Sequence, residues 1–419
     1  MPFGQPIGVG FVILFVVAGA IVLLVAHAAS GSFLSILPTQ GTLAGGAKVV
    51  SDASAIGGSA VRFGAGTASP TPTPTPGSGG SRDPLIQPFS STSIWNMPIG
   101  SGAVYVPAGL TADPEGNVWA PMPQIDDEQI VMTPTAPLTS IMYNGSGWSG
   151  ASRCASQGSE LAKVPIPTGF VIPNNGANNS AAFLEADGRT VLQSQPFTRC
   201  TAGGIATSLL TFPTVDLYGD GISGSHGGSR LSALGGSIRL GELRPGQQGP
   251  RHALKVNVDS PYELYKCTTQ SSCYRWPALT SDSGSVGNYG SANNNQNTAM
   301  KMGALLALPP SVNVNAIGLE SVPGKEIAWT LQNYGAYIVD STGGAAFSLE
   351  AEQGPSGTLR NQFQSDYGMP LEQRVNSNTP WSRDLQRLRP LLQVVNNNSA
   401  SSVGGGGTPR QPLAPPIAP

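Results

Sequence analysis

Past residue 83 the chain reads as an all-β domain of sandwich, jelly-roll or propeller-like build. Short runs of alternating apolar and polar residues fill it, clusters of Gly, Pro, Asn and Ser separate them, and long amphipathic stretches are scarce. The clearest element is Phe183 to Gln195, two alternating runs about Asp187-Gly188, the dipeptide of a tight hairpin. Ser237 to Leu243, His252 to Val258, Glu263 to Lys266, Glu326 to Leu331 and Tyr337 to Val339 read as further strands between turn clusters. One or two short helices are expected. Thr379-Pro380-Trp381 opens one that runs to Arg389, and Thr298 to Leu308 is the second candidate, stopping at Pro309. No fixed-period repeat supports propeller blades.

The chain opens on different chemistry. Ile7 to Ala26 is an uncharged apolar run, close to the roughly 20 residues a helix needs to cross a bilayer core. It lacks the polar stripe of a globular core helix. Residues 1–29 therefore read as a membrane anchor or, through the small-x-small pattern Ala26-His27-Ala28, as a cleaved signal peptide. Either way the remainder is expected outside the cytoplasm, with the membrane as a partner only through this segment. Residues 30–68 read as a short β-like stalk or module remnant. Residues 69–82 carry a Pro/Thr spacer with a glycine hinge, which favours extended polyproline II. The main domain spans 83–398, and 399–419, rich in glycine and proline, reads as a disordered tail.

Composition excludes some partners. Only 11% of the 419 residues are charged and the formal net charge is −2, so nothing draws the chain to nucleic acid. Four cysteines, an even number in an exported chain, read as two disulfides in an oxidising compartment. Cys154 with Cys200 and Cys267 with Cys273 is the favoured pairing among three connectivities, four buried thiols being the plainer alternative. There is no Gly-x-Ser-x-Gly elbow, Walker loop, dinucleotide fingerprint or Cys-x-x-Cys. No cofactor is expected.

Candidate chemistry gathers around two histidines, His226 and His252, 26 residues apart. Glycines on both sides let the backbone turn sharply to present His226. In a strand, His252 shares a face with Leu254 and Val256 and points inward. If the two segments pair, the imidazoles converge on one cleft as general acid or base, with Asp216, Asp220 or Glu242 orienting them. Arg230, Arg251 and Lys255 would neutralise an anionic group, and Tyr218 and Trp276 would contact substrate. Paired carboxylates suit glycoside hydrolysis, and a His with Tyr218 and a cation suits β-elimination. The plainer alternative makes His252 a satisfied core histidine and Asp220-Gly221 a turn. A third reading places a calcium ion at Asp216 and Asp220, although the spacing is not that of a calcium loop. Trp95, Trp119, Tyr143, Trp148, Tyr274, Trp276, Tyr289, Trp329, Tyr334 and Tyr337 supply rings able to stack on sugars, about a third of them expected in a groove and the rest in the core.

Two stretches resemble known families. Gln40 to Gly64 resembles the opening strands of galactose-binding-like carbohydrate-binding modules, over a length too short to close such a module. The main domain resembles an uncharacterised family of exported bacterial all-β domains. The matching phrases are Ser93-Ile-Trp-Asn-Met-Pro98, Gly219 to Ser229, Leu234 to Leu243, Arg251 to Lys255, Tyr274-Arg-Trp-Pro277 and Tyr334 to Asp340. The resemblance implies an exported, sugar-associated setting and assigns no activity. The leading expectation is an extracytoplasmic carbohydrate-active protein, a polysaccharide hydrolase or lyase acting on a cell-surface glycan or other polysaccharide. The alternative is a non-catalytic glycan-binding or adhesive surface protein.

Overall fold

A computed structural model describes residues 48–51, 59–62, 81–111, 127–342, 344, 346–372 and 379–417. The apolar run Ile7 to Ala26, most of the spacer and Trp119 lie outside them. Among the described residues no helix is long and apolar enough to cross a membrane. The chain divides into two units, residues 1–73 and 74–419. In the first, strands β1 (Lys48–Ser51) and β2 (Ser59–Arg62) pair antiparallel.

The second unit is built mostly of short strands in mixed sheets, with few helices. In chain order they are β3 (Tyr105–Pro107), β4 (Glu128–Val131), β5 (Leu138–Tyr143), β6 (Glu160–Pro165), β7 (Ala181–Leu184), β8 (Thr190–Gln195), β9 (Ala206–Ser208), β10 (Leu210–Asp216) and β11 (Ser223–His226). There follow β12 (Leu254–Val258), β13 (Leu305–Ala307), β14 (Ala336–Ser341), β15 (Ser348–Leu349), β16 (Glu352–Gly354), β17 (Gly357–Thr358) and β18 (Gln393–Val395). One sheet runs β10-β8-β7-β4-β16-β17, a second β15-β12-β14-β13-β18-β3, and a small third β6-β5-β9.

Alternation along each strand sorts side chains into three cores. Ile130, Ala182, Leu184 and Val191 of the first sheet meet Leu305, Ala307, Tyr337, Val339 and Val395 of the second in one apolar cluster. The opposite face of the second sheet, with Leu254, Val256, Leu306, Ile338 and Val394, packs against Ile327, Phe363, Trp381 and Leu385 of the helices. The opposite face of the first sheet, with Val131, Ala181 and Phe183, packs on Ile141, Val164 and Ala206 of the small sheet. The central strands are thus covered on both faces. That is why β4 and β7 bury every residue and show no polar alternation in sequence.

The hairpin at Asp187-Gly188 forms as expected, with β7 against β8 and Gly188 at φ +69°. Tyr337 to Val339 lies within β14. Thr379 caps the helix Pro380–Leu388 by accepting from Ser382 N. Both disulfides pair as favoured, Cys154 with Cys200 and Cys267 with Cys273.

Other expectations need correction. Glu326 to Leu331 is helical, inside Val322–Asn333, because Ser321 caps Gly324 N and Pro323 pre-sets the first turn. With Leu359–Tyr367 and Pro380–Leu388 there are, among the described residues, three helices of nine residues or more rather than one or two short ones. Thr298 to Leu308 is no helix; it ends in β13. Ser237 to Leu243 is a run of turns with one bridge, Ile238 to Ala351. Gly235 and Gly236 press there on the Trp95 indole, where a Cβ would overlap the ring. Glu263 to Lys266 leaves a short helix, Ser260–Glu263, and is not a strand. His252 lies just before β12 and not within it.

The tail is seated on the domain. Gly100, Ser101 and Gly102 donate backbone hydrogen bonds to Gly404, Thr408 and Gly406 at 3.0, 2.8 and 2.9 Å. Arg410 donates to Gln332 O and Tyr105 Oη, both at 2.6 Å. Composition misread it because many of its contacts are backbone to backbone, made around glycines at positive φ from Gly404 to Gly407.

A candidate active-site cleft above a buried polar cluster

An open cleft of about 640 Å³ lies where the end of β14 meets the Gly227-Gly228 turn and the loop Thr280 to Gly284. Its size falls in the range of small-ligand sites. Asp340 and Asp282 present carboxylates to it, Arg230, Asn178 and Gln195 add polar groups, and Trp148, Phe212 and Leu210 give an apolar wall. Trp148 is 49% exposed, so its ring face is open to a ligand.

Glycine makes this arrangement possible. Gly227 sits at φ +40°, and a Cβ there would overlap the Asp340 carboxylate; one at Gly228 would overlap that of Asp282. The two acids therefore close on either side of one Gly-Gly turn, which no side chain could occupy.

The two carboxylates have different surroundings. Asp340 Oδ1 accepts from Gly228 N at 3.1 Å and Ser341 N at 2.8 Å, and Oδ2 accepts from Asn178 Nδ2 at 3.2 Å. Three donors aimed at one group suit an acceptor-only carboxylate. Asp282 accepts from Tyr289 Oη at 2.5 Å. Burial pushes the Asp282 carboxyl up, against the lowering effect of the Tyr289 hydrogen bond. Arg230, at φ +55°, places its guanidinium 6.0 Å over the Phe212 ring at the cleft edge.

His226 precedes the Gly-Gly turn, yet its ring points away from the cleft, between the two large sheets. It is 1% exposed and abuts Glu128, itself fully buried. Lys255 Nζ donates to Glu128 Oε1 at 2.6 Å, Ser232 O at 3.0 Å and Ala233 O at 2.8 Å. Burial lowers the Lys255 ammonium's pKa, and Glu128 and Glu350 hold it up in part. Glu128 lies on β4 with Ile130, and Lys255 lies on β12 opposite in parity to Leu254 and Val256, so both enter the space between the sheets.

His252 does not join His226. Neither lines the large cleft. His252 Nε2 bonds Glu242 Oε2 at 3.0 Å and Nδ1 lies 2.9 Å from Ala253 O. Burial is the largest single influence and opposes its charge, but Glu242 and the Ala253 carbonyl together outweigh it and the imidazole pKa is raised. Asp216 is exposed and paired in a fork with Arg189 Nε and Nη2 at 2.9 and 2.7 Å. Asp220 is exposed and turns back on Ile222 N. Tyr218 lies under Arg189, whose guanidinium carbon is 5.0 Å from its ring centre. Arg251 is exposed beside Trp329, and Trp276 packs on the apolar cluster between the sheets. Of the residues read from sequence as substrate-binding, the cleft holds Arg230.

Asp282 and Asp340 are the residues sequence reasoning left out. Asp340 ends the buried run Ala336 to Val339, and a carboxylate closing such a strand was the available signal. Asp282 lies in a Ser/Gly loop with no pattern of its own. No protein-family model, curated protein or solved structure matches the chain.

Proposed function

We propose that the protein is an extracytoplasmic glycan hydrolase that works in this cleft. The observation that carries the reading is the pair Asp282 and Asp340, two carboxylates in one open cleft with different hydrogen-bond environments. Such pairs divide acid and base work. Asp282, its pKa raised by burial, donates a proton to the departing sugar oxygen. Asp340, held by three donors, is the carboxylate that attacks the anomeric carbon or activates water. Trp148 stacks on a sugar face and Arg230 binds hydroxyl or carboxylate groups at the rim. The two disulfides fit an oxidising compartment, and a tether through Ile7 to Ala26 would hold the domain near a membrane. Hydrolysis is favoured over β-elimination because neither histidine nor Tyr218 lines the cleft.

The test is a polysaccharide panel assayed for new reducing ends with the full chain, Asp282→Asn and Asp340→Asn. Each substitution should lower kcat by about 10²- to 10⁴-fold while glycan binding persists. Glycan binding without product in the unmodified chain would make the protein a non-catalytic binder. Full activity in both variants would remove the cleft from the chemistry.

A further inference from the structure

Between the two large sheets, Glu128, His226 and Glu350 each offer one ligand atom, and these atoms lie within 4.8 Å of one another. All three residues are buried. Lys255 spends its three donors on Glu128 Oε1, Ser232 O and Ala233 O, so none of them serves His226. His226 Nδ1 abuts Glu128 Oε1 without hydrogen-bond geometry. Neither ring nitrogen of His226, nor Glu128 Oε2, has a hydrogen-bond partner. Leaving such groups unsatisfied in a protein interior is costly.

We propose that Glu128, His226 and Glu350 bind a divalent transition-metal ion, of which Zn²⁺ is representative. One imidazole with two carboxylates is a mixed N/O donor set, which suits zinc or manganese, whereas calcium takes six to eight oxygens. The ligands come from β4, from β11 and from the residue after β15, so the ion ties the first sheet to the second and fixes the backbone that leads into Gly227-Gly228. The site holds none of the cleft residues and stands whether or not the protein is a hydrolase.

Tag-free full chain would be stripped with chelator, checked by circular dichroism, and titrated with Zn²⁺, Ca²⁺ and Co²⁺ by calorimetry. One equivalent of Zn²⁺ should bind, with Ca²⁺ at least about 100-fold weaker, and the stripped chain should melt at a lower temperature that added Zn²⁺ restores. His226→Ala and Glu350→Gln should each abolish the tight site. Where those variants fail to fold, X-ray absorption on the Co²⁺-loaded unmodified chain decides, with one imidazole and otherwise oxygen donors expected. A folded stripped chain that takes up no Zn²⁺ overturns the proposal, as does binding unchanged in both variants or a ligand shell without imidazole.

Discussion

Asp282 and Tyr289 illustrate how much one buried hydroxyl can set. Tyr289 is fully buried and donates to Asp282 Oδ2, a bond that favours the charged carboxylate and opposes the upward push of burial. A general acid works only while protonated, so hydrolysis should fall as pH rises through the raised pKa of Asp282. Tyr289→Phe keeps the ring and removes the opposing bond, so that pKa should climb further. The alkaline limb of kcat against pH should then move to higher pH, with the acid limb unmoved. An unshifted alkaline limb would deny Asp282 the acid's role. The sequence placed Tyr289 among rings able to stack on sugars, but a ring spacing does not say which hydroxyls turn inward.

Elements were legible in proportion to how one-sided they are. The β7–β8 hairpin and the Thr379-capped helix carry local turn and cap chemistry, and both form where expected. The helix Val322–Asn333 was read in part as a strand because its apolar residues fall between buried polar ones, among them Glu326 and Thr330. Glu326 gives that helix a pH signature. Burial pushes its carboxyl up to about 7 from 4.5. A raised folded-state value means the native state holds the proton more tightly. Its contribution to stability is therefore full below pH 4.5 and is lost as pH rises through about 7. His252, also raised, acts with the same sign at the domain's other buried imidazole. Glu326→Gln should flatten most of this slope and stabilise the chain at pH 8 by on the order of 2 kcal/mol. Urea midpoints at pH 5 and pH 8 check it, and equal slopes in the two proteins would contradict it.

At the scale of the whole molecule the decisive contacts are long-range and leave little local trace. Glu128, His226, Lys255 and Glu350 meet only because two sheets close over them, and Asp340 and Asp282 only because Gly227-Gly228 passes between them. The C-terminal segment is the same case in backbone form. Arg82 N donates to Pro416 O at 2.9 Å, and Arg410 N to Ile99 O at 2.9 Å. Gln411 Nε2 reaches Asn333 Oδ1 at 2.9 Å, at the end of the Val322–Asn333 helix. Leu413 and Ala414 are buried. The segment thus joins the start of the domain, its outer strand β3 through Tyr105, and a core helix. A chain ending at Asn398 would strand the acceptors and donors on Ile99, Gly100, Ser101 and Gly102 and expose Ile99, which is fully buried. Net hydrogen bonds contribute about 1 kcal/mol each and unsatisfied partners cost more. Against a total stability of about 5–15 kcal/mol, that loss should unfold the truncated chain or lower its Tm sharply. Thermal melts of the chain ended at 398 and of the full chain decide the matter, and coincident melts would return the tail to a disordered appendage.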